Sequence, residues 1–147
     1  MQKKRFMADT NVFIAAFKSG YTVTTKLLLK LLLDPEVELI VDDILLKEYD
    51  KWFKTLSEKI PKIREQAELL YTLIKAKAKL EHPSNDDINK VKQYLPETET
   101  ADIYHAAACL KANCILITND NDFQELRRAG VVEIWTISEA VRKLLKL

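Results

Sequence analysis

The spacing of apolar and polar residues along the chain predicts an alternation of strands and helices. Short apolar or β-branched runs are typical of buried strands, and they occupy residues 5–8, 37–41, 114–118 and 131–137. Apolar residues at helical spacing predict helices at residues 12–17, 22–33, 44–56, 61–79, 86–95, 98–110, 123–129 and 138–147. We therefore expect an α/β fold of three layers, with a central parallel sheet of about four or five strands between helices.

Polar residues that can accept a hydrogen bond from a helix N-terminus mark several of the predicted helix starts. Asp43, Thr98 and Ser138 are the predicted N-caps of three helices, and Ser84 with Asp87 resembles a fourth helix start. We expect each of these residues to precede or begin the first turn of its helix.

The helix predicted for residues 22–33 is apolar around most of its circumference. Only Lys26, Lys30 and Asp34 form a polar line along it, and a helix of this kind is buried on more than one side. It is either a core helix alone or a core helix whose outer surface also contacts a partner. The second interpretation makes it a candidate interface for the homodimer that we expect.

Composition and charge describe one globular domain over residues 1–147 rather than a membrane or disordered protein. Hydrophobic residues make up 48% and charged residues 31% of the chain, and 23 Lys and Arg against 22 Asp and Glu give a net charge of +1. This charge provides no general attraction to a polyanion, so nucleic-acid binding would need local basic patches or metal ions. No apolar run reaches membrane-spanning length and no secretory signal begins the chain, so we expect a cytoplasmic protein.

The two cysteines, Cys109 and Cys114, are spaced as C-x4-C. With only His82 and His105 as further soft ligands, a closed zinc site is hard to assemble. We interpret the cysteines as two buried thiols. A disulfide between them stays an alternative, because intracellular proteins of hyperthermophiles contain such bridges.

Acidic residues follow the predicted strands at their carboxyl ends. Asp9 comes directly after the first strand, and Asp120 lies just beyond the strand at residues 114–118. The carboxyl ends of parallel strands meet at one edge of a sheet, where open α/β sheets bind ligands. Both carboxylates should therefore lie at that edge.

Further acids approach the same edge from predicted helices. Glu48 lies at the border of the apolar face of its helix, where an unpaired carboxylate is costly unless something satisfies it. Asp102 lies in the first or second turn of its helix, one turn after Glu99, where the helix dipole favours an anion. His105, three residues after Asp102, is either simply partly buried or a catalytic residue.

Neighbouring carboxylates repel one another and raise one another's pKa values, and a divalent cation removes this conflict. Mg²⁺ or Mn²⁺ takes oxygen ligands and commonly shares its shell with water and phosphate. Such a cation can lower the pKa of a bound water and neutralise charge on the leaving oxygen of a phosphodiester. The acidic cluster therefore predicts metal-dependent cleavage of a phosphodiester.

Four motifs resemble those of the PIN-domain nucleases, in that family's order and spacing over almost the whole chain. They are Asp9-Thr10-Asn11, Glu48 in Leu-Leu-Lys-Glu-Tyr, Asp102 in Thr-Ala-Asp-Ile-Tyr-His-Ala-Ala-Ala, and Thr118-Asn119-Asp120-Asn121-Asp122-Phe. The resemblance implies a metal-dependent ribonuclease that acts on single-stranded RNA. Among small stand-alone prokaryotic PIN domains it implies the toxin of a toxin–antitoxin pair, of the VapC type or a close relative, with an antitoxin protein as partner.

The resemblance also assigns roles to individual residues. It implies that the catalytic acids and metal ligands are Asp9, Glu48, Asp102 and Asp120, with Asp122 as a fifth ligand. It implies that the side chains orienting these carboxylates are Thr10, Asn11 and Thr118. Glu99, which we group with them, is an additional acid beside Asp102 and departs from the family pattern. Asp43 departs from the family pattern, because relatives often have Ser or Thr before the helix of the glutamate. Asp43 and Glu99 both add negative charge, so metal occupancy could differ.

Other functions stay open at this point. A haloacid-dehalogenase-like phosphatase would use Asp9 as a nucleophile but requires a second Asp where Asn11 stands. A receiver domain would require an acidic pair at the first strand. Within the PIN fold, the alternatives are a non-toxin nuclease in RNA processing and a non-catalytic module that binds RNA or protein. The complete set of acids argues against the non-catalytic module.

Overall fold

A five-stranded parallel sheet forms the centre of the protein in a computed structural model, which describes residues 3–18 and 22–146. The strands are β1 (Lys4–Ala8), β2 (Val37–Val41), β3 (Ala78–Leu80), β4 (Ile115–Ile117) and β5 (Ile134–Trp135). Their order is β3-β2-β1-β4-β5, and every neighbouring pair is parallel. The chain first extends the sheet from β1 through β2 and β3, and then adds β4 and β5 on the other side of β1. The strand order thus reverses between β1 and β4, where a parallel sheet opens a crevice at its carboxyl edge.

Eight α-helices connect and cover the strands within the described residues. They are α1 (Thr10–Lys18), α2 (Val23–Leu33), α3 (Asp43–Lys59), α4 (Arg64–Lys77), α5 (Asn85–Lys92), α6 (Thr100–Ala112), α7 (Gln124–Ala129) and α8 (Ile137–Leu145). Short 3-10 helices at Pro61–Ile63 and Asn121–Phe123 precede α4 and α7. No helix in this part of the chain combines the length and apolar character that crossing a membrane requires.

The helices form one layer on each face of the sheet. Successive residues of β1 point to opposite faces, so their contacts show which helices cover which face. Phe6 and Ala8 belong to a hydrophobic cluster that includes residues of α1, α2 and α8. Met7 belongs to a larger cluster that includes residues of α3, α4 and α6. The predicted three-layer α/β/α fold with a central parallel sheet is confirmed.

Helix α2 is buried on two sides, as its leucine run predicts. Leu27 and Leu31 pack in the cluster that includes α8, whereas Leu28 and Leu32 pack in the cluster of the opposite face. Leu33, at the end of the helix, is 64% exposed. The interpretation as a core helix is confirmed, and an interface on its outer surface stays a prediction.

The edge strand β3 was not predicted, because residues 61–79 were expected to form one helix. Helix α4 ends at Lys77, and residues 78–80 pair with β2 in the register Leu39↔Ala78. Lys79 also reaches Glu38 of β2, with 3.3 Å between Nζ and Oε2. Tertiary pairing therefore overrides the helical pattern over these last residues.

Helix starts differ by one or two residues from the predicted ones. Asp42, not Asp43, caps α3 by accepting a hydrogen bond from the Leu45 N–H. Thr136, not Ser138, caps α8, because it forms a capping box with Glu139. In both helices the predicted N-cap, Asp43 or Ser138, lies one or two residues after the residue that caps the helix.

Two further boundaries moved, and one was correct. Glu99, not Thr98, is the N-cap residue of α6, and its side chain makes no capping hydrogen bond. The last strand is only Ile134–Trp135 instead of residues 131–137. The predicted start of α5 is confirmed, since Ser84 and Asp87 form a capping box.

Both cysteines are free, buried thiols, as predicted. The Cys109 thiol donates to the carbonyl oxygen of Cys114, with 2.9 Å between Sγ and O. Burial holds the pKa of the Cys109 thiol well above its ordinary value. A thiol of this kind is unreactive.

Candidate active site at the carboxyl edge of the sheet

The predicted site residues Asp9 and Asp120 lie on either side of the crevice between β1 and β4. Asp9 directly follows β1, and its N–H donates to the carbonyl oxygen of Ile117 at 3.0 Å. Asp120 lies in the loop after β4, immediately ahead of the 3-10 helix at Asn121–Phe123. The reversal of strand order therefore brings together two carboxylates that are far apart in the chain.

Asp9 is buried, and donors surround its carboxylate. Its Oδ1 accepts from the Thr10 N–H at 2.8 Å, and its Oδ2 accepts from the Thr118 hydroxyl at 2.7 Å and from Asn11 Nδ2 at 3.3 Å. Burial raises the pKa of Asp9 above its ordinary value, although the hydrogen bonds from Thr118 and Thr10 oppose this rise. The donors hold the carboxylate in one orientation.

Thr118 joins the two sides of the crevice. Its hydroxyl oxygen accepts from Asn11 Nδ2 at 3.1 Å and from the Asp120 N–H at 3.0 Å, while its proton goes to Asp9. Asp120 Oδ1 in turn accepts from the Asp122 N–H at 2.9 Å. Thr118 and Asn11 thus make contacts that would orient the carboxylates, the role that the resemblance implies for them.

The loop that carries Asp120 is also fixed from the C-terminal side. The Thr118 N–H donates to the carbonyl oxygen of Trp135 at 2.9 Å. Asn119 Oδ1 accepts from the Ile137 N–H, in the first turn of α8, at 2.9 Å. β5 and α8 therefore support the loop, although neither contributes an acid to the site.

Glu99, Asp102 and Asp122, which we call the open acids, form a cluster on the outer side of the crevice. One carboxylate oxygen of each lies within 4.8 Å of the others. Their carboxylates accept no hydrogen bond from any residue in the described ranges 3–18 and 22–146. Burial, and then the charges of Asp9 and Asp120, raise the pKa of Asp102 to about 7. The open acids therefore repel each other without a hydrogen bond from the described chain, and the charge of His105 offsets only part of the rise in the pKa of Asp102.

Glu48 lies on α3 with both carboxylate oxygens already bonded. Its Oε2 accepts from the Thr10 hydroxyl at 2.6 Å, and its Oε1 lies 2.7 Å from Nε2 of His105. Burial raises the pKa of Glu48, but the hydrogen bonds from His105 and Thr10 outweigh it and leave this pKa below its ordinary value. These two donors satisfy the carboxylate that the sequence singled out.

His105 is held between two carboxylates in the interior. Its Nδ1 lies 2.6 Å from Oδ2 of Asp42 and its Nε2 lies 2.7 Å from Oε1 of Glu48. Burial alone would lower the pKa of the imidazole, but the bonds to Asp42 and Glu48 raise it to about 10. His105 is therefore an imidazolium at neutral pH, with both N–H groups donating. We call Asp9, Asp42 and Glu48 the anchored acids, since each accepts hydrogen bonds from side chains or backbone that hold it in place.

A comparison with protein families decides the identity of this arrangement. Residues 6–129 match the model of the PIN domain. The chain belongs to the PIN domain family. The resemblance read from its four acidic motifs is thereby confirmed.

Two solved structures with the PIN fold, each from a bacterium, are similar to this chain. One is VapBC2 from Rickettsia felis bound to a DNA fragment from its promoter, with a TM-score of 0.63 and 16% identity over 90% of this chain and 98% of that chain. Another is VapBC-1 from nontypeable Haemophilus influenzae, with a TM-score of 0.58 and 21% identity over 91% of this chain and 98% of that chain. No curated protein matches the chain. At these identities the structural likeness supports the fold.

The acids predicted for this PIN site do not all lie in a single cluster. Among the described residues, only Glu99, Asp102 and Asp122 have three ligand atoms within 4.8 Å of one another. Asp9 and Asp120 lie near enough for their charges to raise the pKa of Asp102. Glu48 faces Thr10 and His105 instead. Glu99, expected only as an additional acid, lies inside the cluster.

Asp42 was missed as a site residue in this PIN domain, and His105 was left undecided. Asp42 is fully buried and His105 is 1% exposed. The signal for Asp42 was available, because it follows β2 directly, as Asp9 follows β1. The signal for His105 was its spacing from Asp102, which places both on neighbouring turns of α6.

The donor set of this PIN domain fits a hard divalent cation. The open acids offer only carboxylate oxygens, the ligands that Mg²⁺ and Mn²⁺ prefer. One oxygen of each lies within 4.8 Å of the others, and no hydrogen-bond donor in the described part of the chain contacts them. Clustered carboxylates without donors are costly, and a cation removes that cost.

Proposed function

We propose that this PIN domain is a Mg²⁺- or Mn²⁺-dependent ribonuclease that hydrolyses phosphodiester bonds of single-stranded RNA. The observation that carries the proposal is the cluster of open acids beside Asp9 and Asp120, at the reversal of strand order. The residues that would hold the cation are Asp9, Asp102, Asp120, Asp122 and Glu99. When bound, the cation lowers the pKa of a water molecule and neutralises charge on the phosphate.

The chain's own residues prepare this site before any RNA binds. Thr118 and Thr10 hold the Asp9 carboxylate in one orientation, and Thr118 also fixes the backbone at Asp120. Donors that hold ligating carboxylates reduce the reorganisation required at the moment of reaction. With a net charge of +1, the protein attracts RNA weakly as a whole, so recognition depends on the site and its cation.

We further propose that the protein is the toxin of a toxin–antitoxin pair, is cytoplasmic, forms a homodimer and binds an antitoxin protein. The support is the similarity of this chain to two VapBC structures, and each match covers 98% of the chain in the solved structure. A small open reading frame beside the gene would support this role. Its absence would favour a PIN nuclease in RNA processing.

The test of the nuclease proposal is cleavage of a labelled single-stranded RNA by the full chain with Mg²⁺ or Mn²⁺. We expect cleavage that stops on addition of EDTA and is absent in Asp9→Asn. Asp86→Asn is the matched control, since Asp86 is an exposed acid on α5 and should leave cleavage unchanged. RNA binding without cleavage under any divalent metal would instead show a non-catalytic binding module.

The toxin proposal requires a separate test, which is expression of the chain in a bacterial host. We expect growth arrest that Asp9→Asn relieves and that co-expression of the neighbouring small protein also relieves. Normal growth with active enzyme would assign the nuclease to RNA processing.

A further inference from the structure

A continuous chain of hydrogen bonds links the end of β2 to the end of β1 through α6 and α3. Asp42 Oδ2 and His105 Nδ1 are 2.6 Å apart, and His105 Nε2 and Glu48 Oε1 are 2.7 Å apart. Glu48 Oε2 accepts from the Thr10 hydroxyl at 2.6 Å, and the Thr10 N–H donates to Asp9 Oδ1 at 2.8 Å. Four segments of the fold therefore meet in one bonded path.

The positions of these residues relate the path to the nuclease site. Thr10 follows Asp9 directly, so a hydroxyl held by Glu48 also fixes the N–H that Asp9 accepts. His105 lies one turn after Asp102 on α6, so an imidazole held by Asp42 and Glu48 fixes the rotation of that helix. Glu48 thus lies between a residue adjoining Asp9 and a residue one turn from Asp102.

The same contacts make Glu48 a poor ligand for a cation. Each carboxylate oxygen has a second lone pair, but one oxygen already accepts from the Thr10 hydroxyl at 2.6 Å and the other lies 2.7 Å from Nε2 of His105. Mg²⁺ binds oxygen at about 2.0–2.1 Å, so a cation on Glu48 would have to fit beside one of these two side chains on an oxygen that is already bonded. The open acids accept no hydrogen bond in the described part of the chain, and their oxygens are available to a cation.

We propose that Glu48 and His105 are positioning residues, which hold Asp9 and Asp102 in their relative places, and that Glu48 does not ligate the cation. This inference rests on the proposed nuclease function and assigns roles within that site. Glu48 is satisfied by His105 and Thr10 whether or not a cation is bound. Asp42 completes the arrangement by fixing the far side of the imidazole ring.

The first test compares Mn²⁺ binding to full-length Glu48→Gln and Asp102→Asn by titration calorimetry, without RNA. Glu48→Gln can keep one hydrogen bond to Thr10 or His105, so its affinity for Mn²⁺ should stay within about threefold of wild type. Asp102→Asn removes a charged ligand and should weaken binding at least about tenfold. Equal losses in the two variants would show that Glu48 is a ligand and would overturn the inference.

The second test compares two substitutions of Thr10, the residue that connects Glu48 to Asp9. Thr10→Ser keeps the hydroxyl that Glu48 accepts, whereas Thr10→Val keeps the shape and loses it. For RNA cleavage we expect Thr10→Val to lower kcat about tenfold with KM unchanged, and Thr10→Ser to restore most of kcat. If both variants are folded and have the same kcat, the path has no positioning role.

The third test is independent of activity and of metal. Melting temperatures of Thr10→Val, His105→Gln and the double variant are measured in EDTA. Because both residues bond to Glu48, the double variant should lose less than the two single losses together. Additive losses would contradict the bonded path. If the wild type cleaves no RNA, the proposed function fails, while Mn²⁺ binding and this coupling still decide the roles of Glu48 and His105.

Discussion

The anchored acids and the open acids lie at the same edge of the sheet, and the protein treats them in opposite ways. Asp42 and Asp9 are buried and accept short hydrogen bonds, and Glu48 is bonded at both oxygens. Glu99, Asp102 and Asp122 converge within 4.8 Å without a donor from the described chain. The difference separates carboxylates that the fold holds in place by hydrogen bonds from carboxylates to which the described chain offers no hydrogen bond.

The two groups of acids also differ in their contact with the positive charge of His105. His105 provides one internal positive charge, and Asp42 and Glu48 share it at 2.6 and 2.7 Å. The charge of His105 also acts on Asp102 and lowers its pKa, but burial and the charges of Asp9 and Asp120 outweigh this effect and raise the pKa of Asp102 to about 7. The open acids, which accept no hydrogen bond from the described chain, therefore gain the most from an added cation.

The largest expected effect follows from removing an open acid. Asp102→Asn should lower RNA cleavage at least about a hundredfold, because it removes a central ligand and its charge. Single-turnover cleavage with Mn²⁺ measures the loss, with Asp86→Asn as the control. Residual activity within tenfold of wild type would place the catalytic cation elsewhere.

Removing an anchored acid should instead reduce stability. Asp42→Ala leaves the buried imidazolium of His105 with one partner, which costs about 3–5 kcal/mol of unfolding free energy. Urea unfolding in EDTA measures this change. The adjacent Asp43→Ala is the matched control, and because Asp43 is partly exposed its cost should stay near 1 kcal/mol or below. Similar costs for the two variants would remove the distinction between them.

Asp102 should make the metal-free protein less stable as pH rises. The pKa of Asp102 is about 7 in the folded chain against an ordinary 3.8, so the folded state retains a proton that the unfolded state loses. Stability from this group therefore falls between about pH 4 and pH 7 and is constant above. The imidazolium of His105, whose pKa is about 10, loses its contribution only at higher pH, between the unfolded value near 6.5 and 10.

Asp102→Asn tests this pH dependence directly. The melting temperature of the variant in EDTA should equal that of wild type near pH 4 and exceed it at pH 8 by roughly 2–4 °C, the shift that about 1 kcal/mol produces. Other titrating groups affect both proteins alike and cancel in the difference. A difference that does not change with pH would show that burial of Asp102 does not perturb it.

The smallest effect concerns a hydrogen bond beside the anchored acids that involves no acid. The buried Tyr49 hydroxyl donates to the carbonyl oxygen of Ala8, so Tyr49→Phe should cost about 0.5–1.5 kcal/mol. Tyr71→Phe is the control, because the Tyr71 hydroxyl donates to the more exposed Asp50 at 3.1 Å. Cleavage should change less than about threefold in both. A large loss of activity in Tyr49→Phe would extend the anchored network to the backbone.

Sequence patterns sufficed for the layers of the fold and for which residues approach the carboxyl edge. Strands predicted at residues 5–8 and 114–118 lie side by side as β1 and β4, because parallel βαβ units leave few arrangements. The residue pairs within the site were beyond such reasoning. That Glu48 meets His105 rather than Asp102 depends on the rotation of α3 against α6, which periodicity does not determine.

Strand β3 and the path through Asp42 share a cause. Residues 78–80 form a strand because β2 offers a free edge, and Asp42 is buried because α6 brings His105 against it. Both depend on neighbours distant in the chain. The sequence pattern of a short segment does not indicate which distant residues it will contact. The capping box of Ser84 and Asp87 involves only neighbouring residues, and the sequence predicted it.

The loop support from β5 and α8 has a consequence for sequence variation. The family match ends at residue 129, yet Trp135 and Ile137 lie beyond it and hold the backbone at Thr118 and the side chain of Asn119. Substitutions in this terminal stretch can therefore change the geometry of the proposed site without changing an acid. A homologue could keep every motif residue and still differ in activity, because its C-terminal segment could make different hydrogen bonds to the loop that contains Thr118 and Asn119.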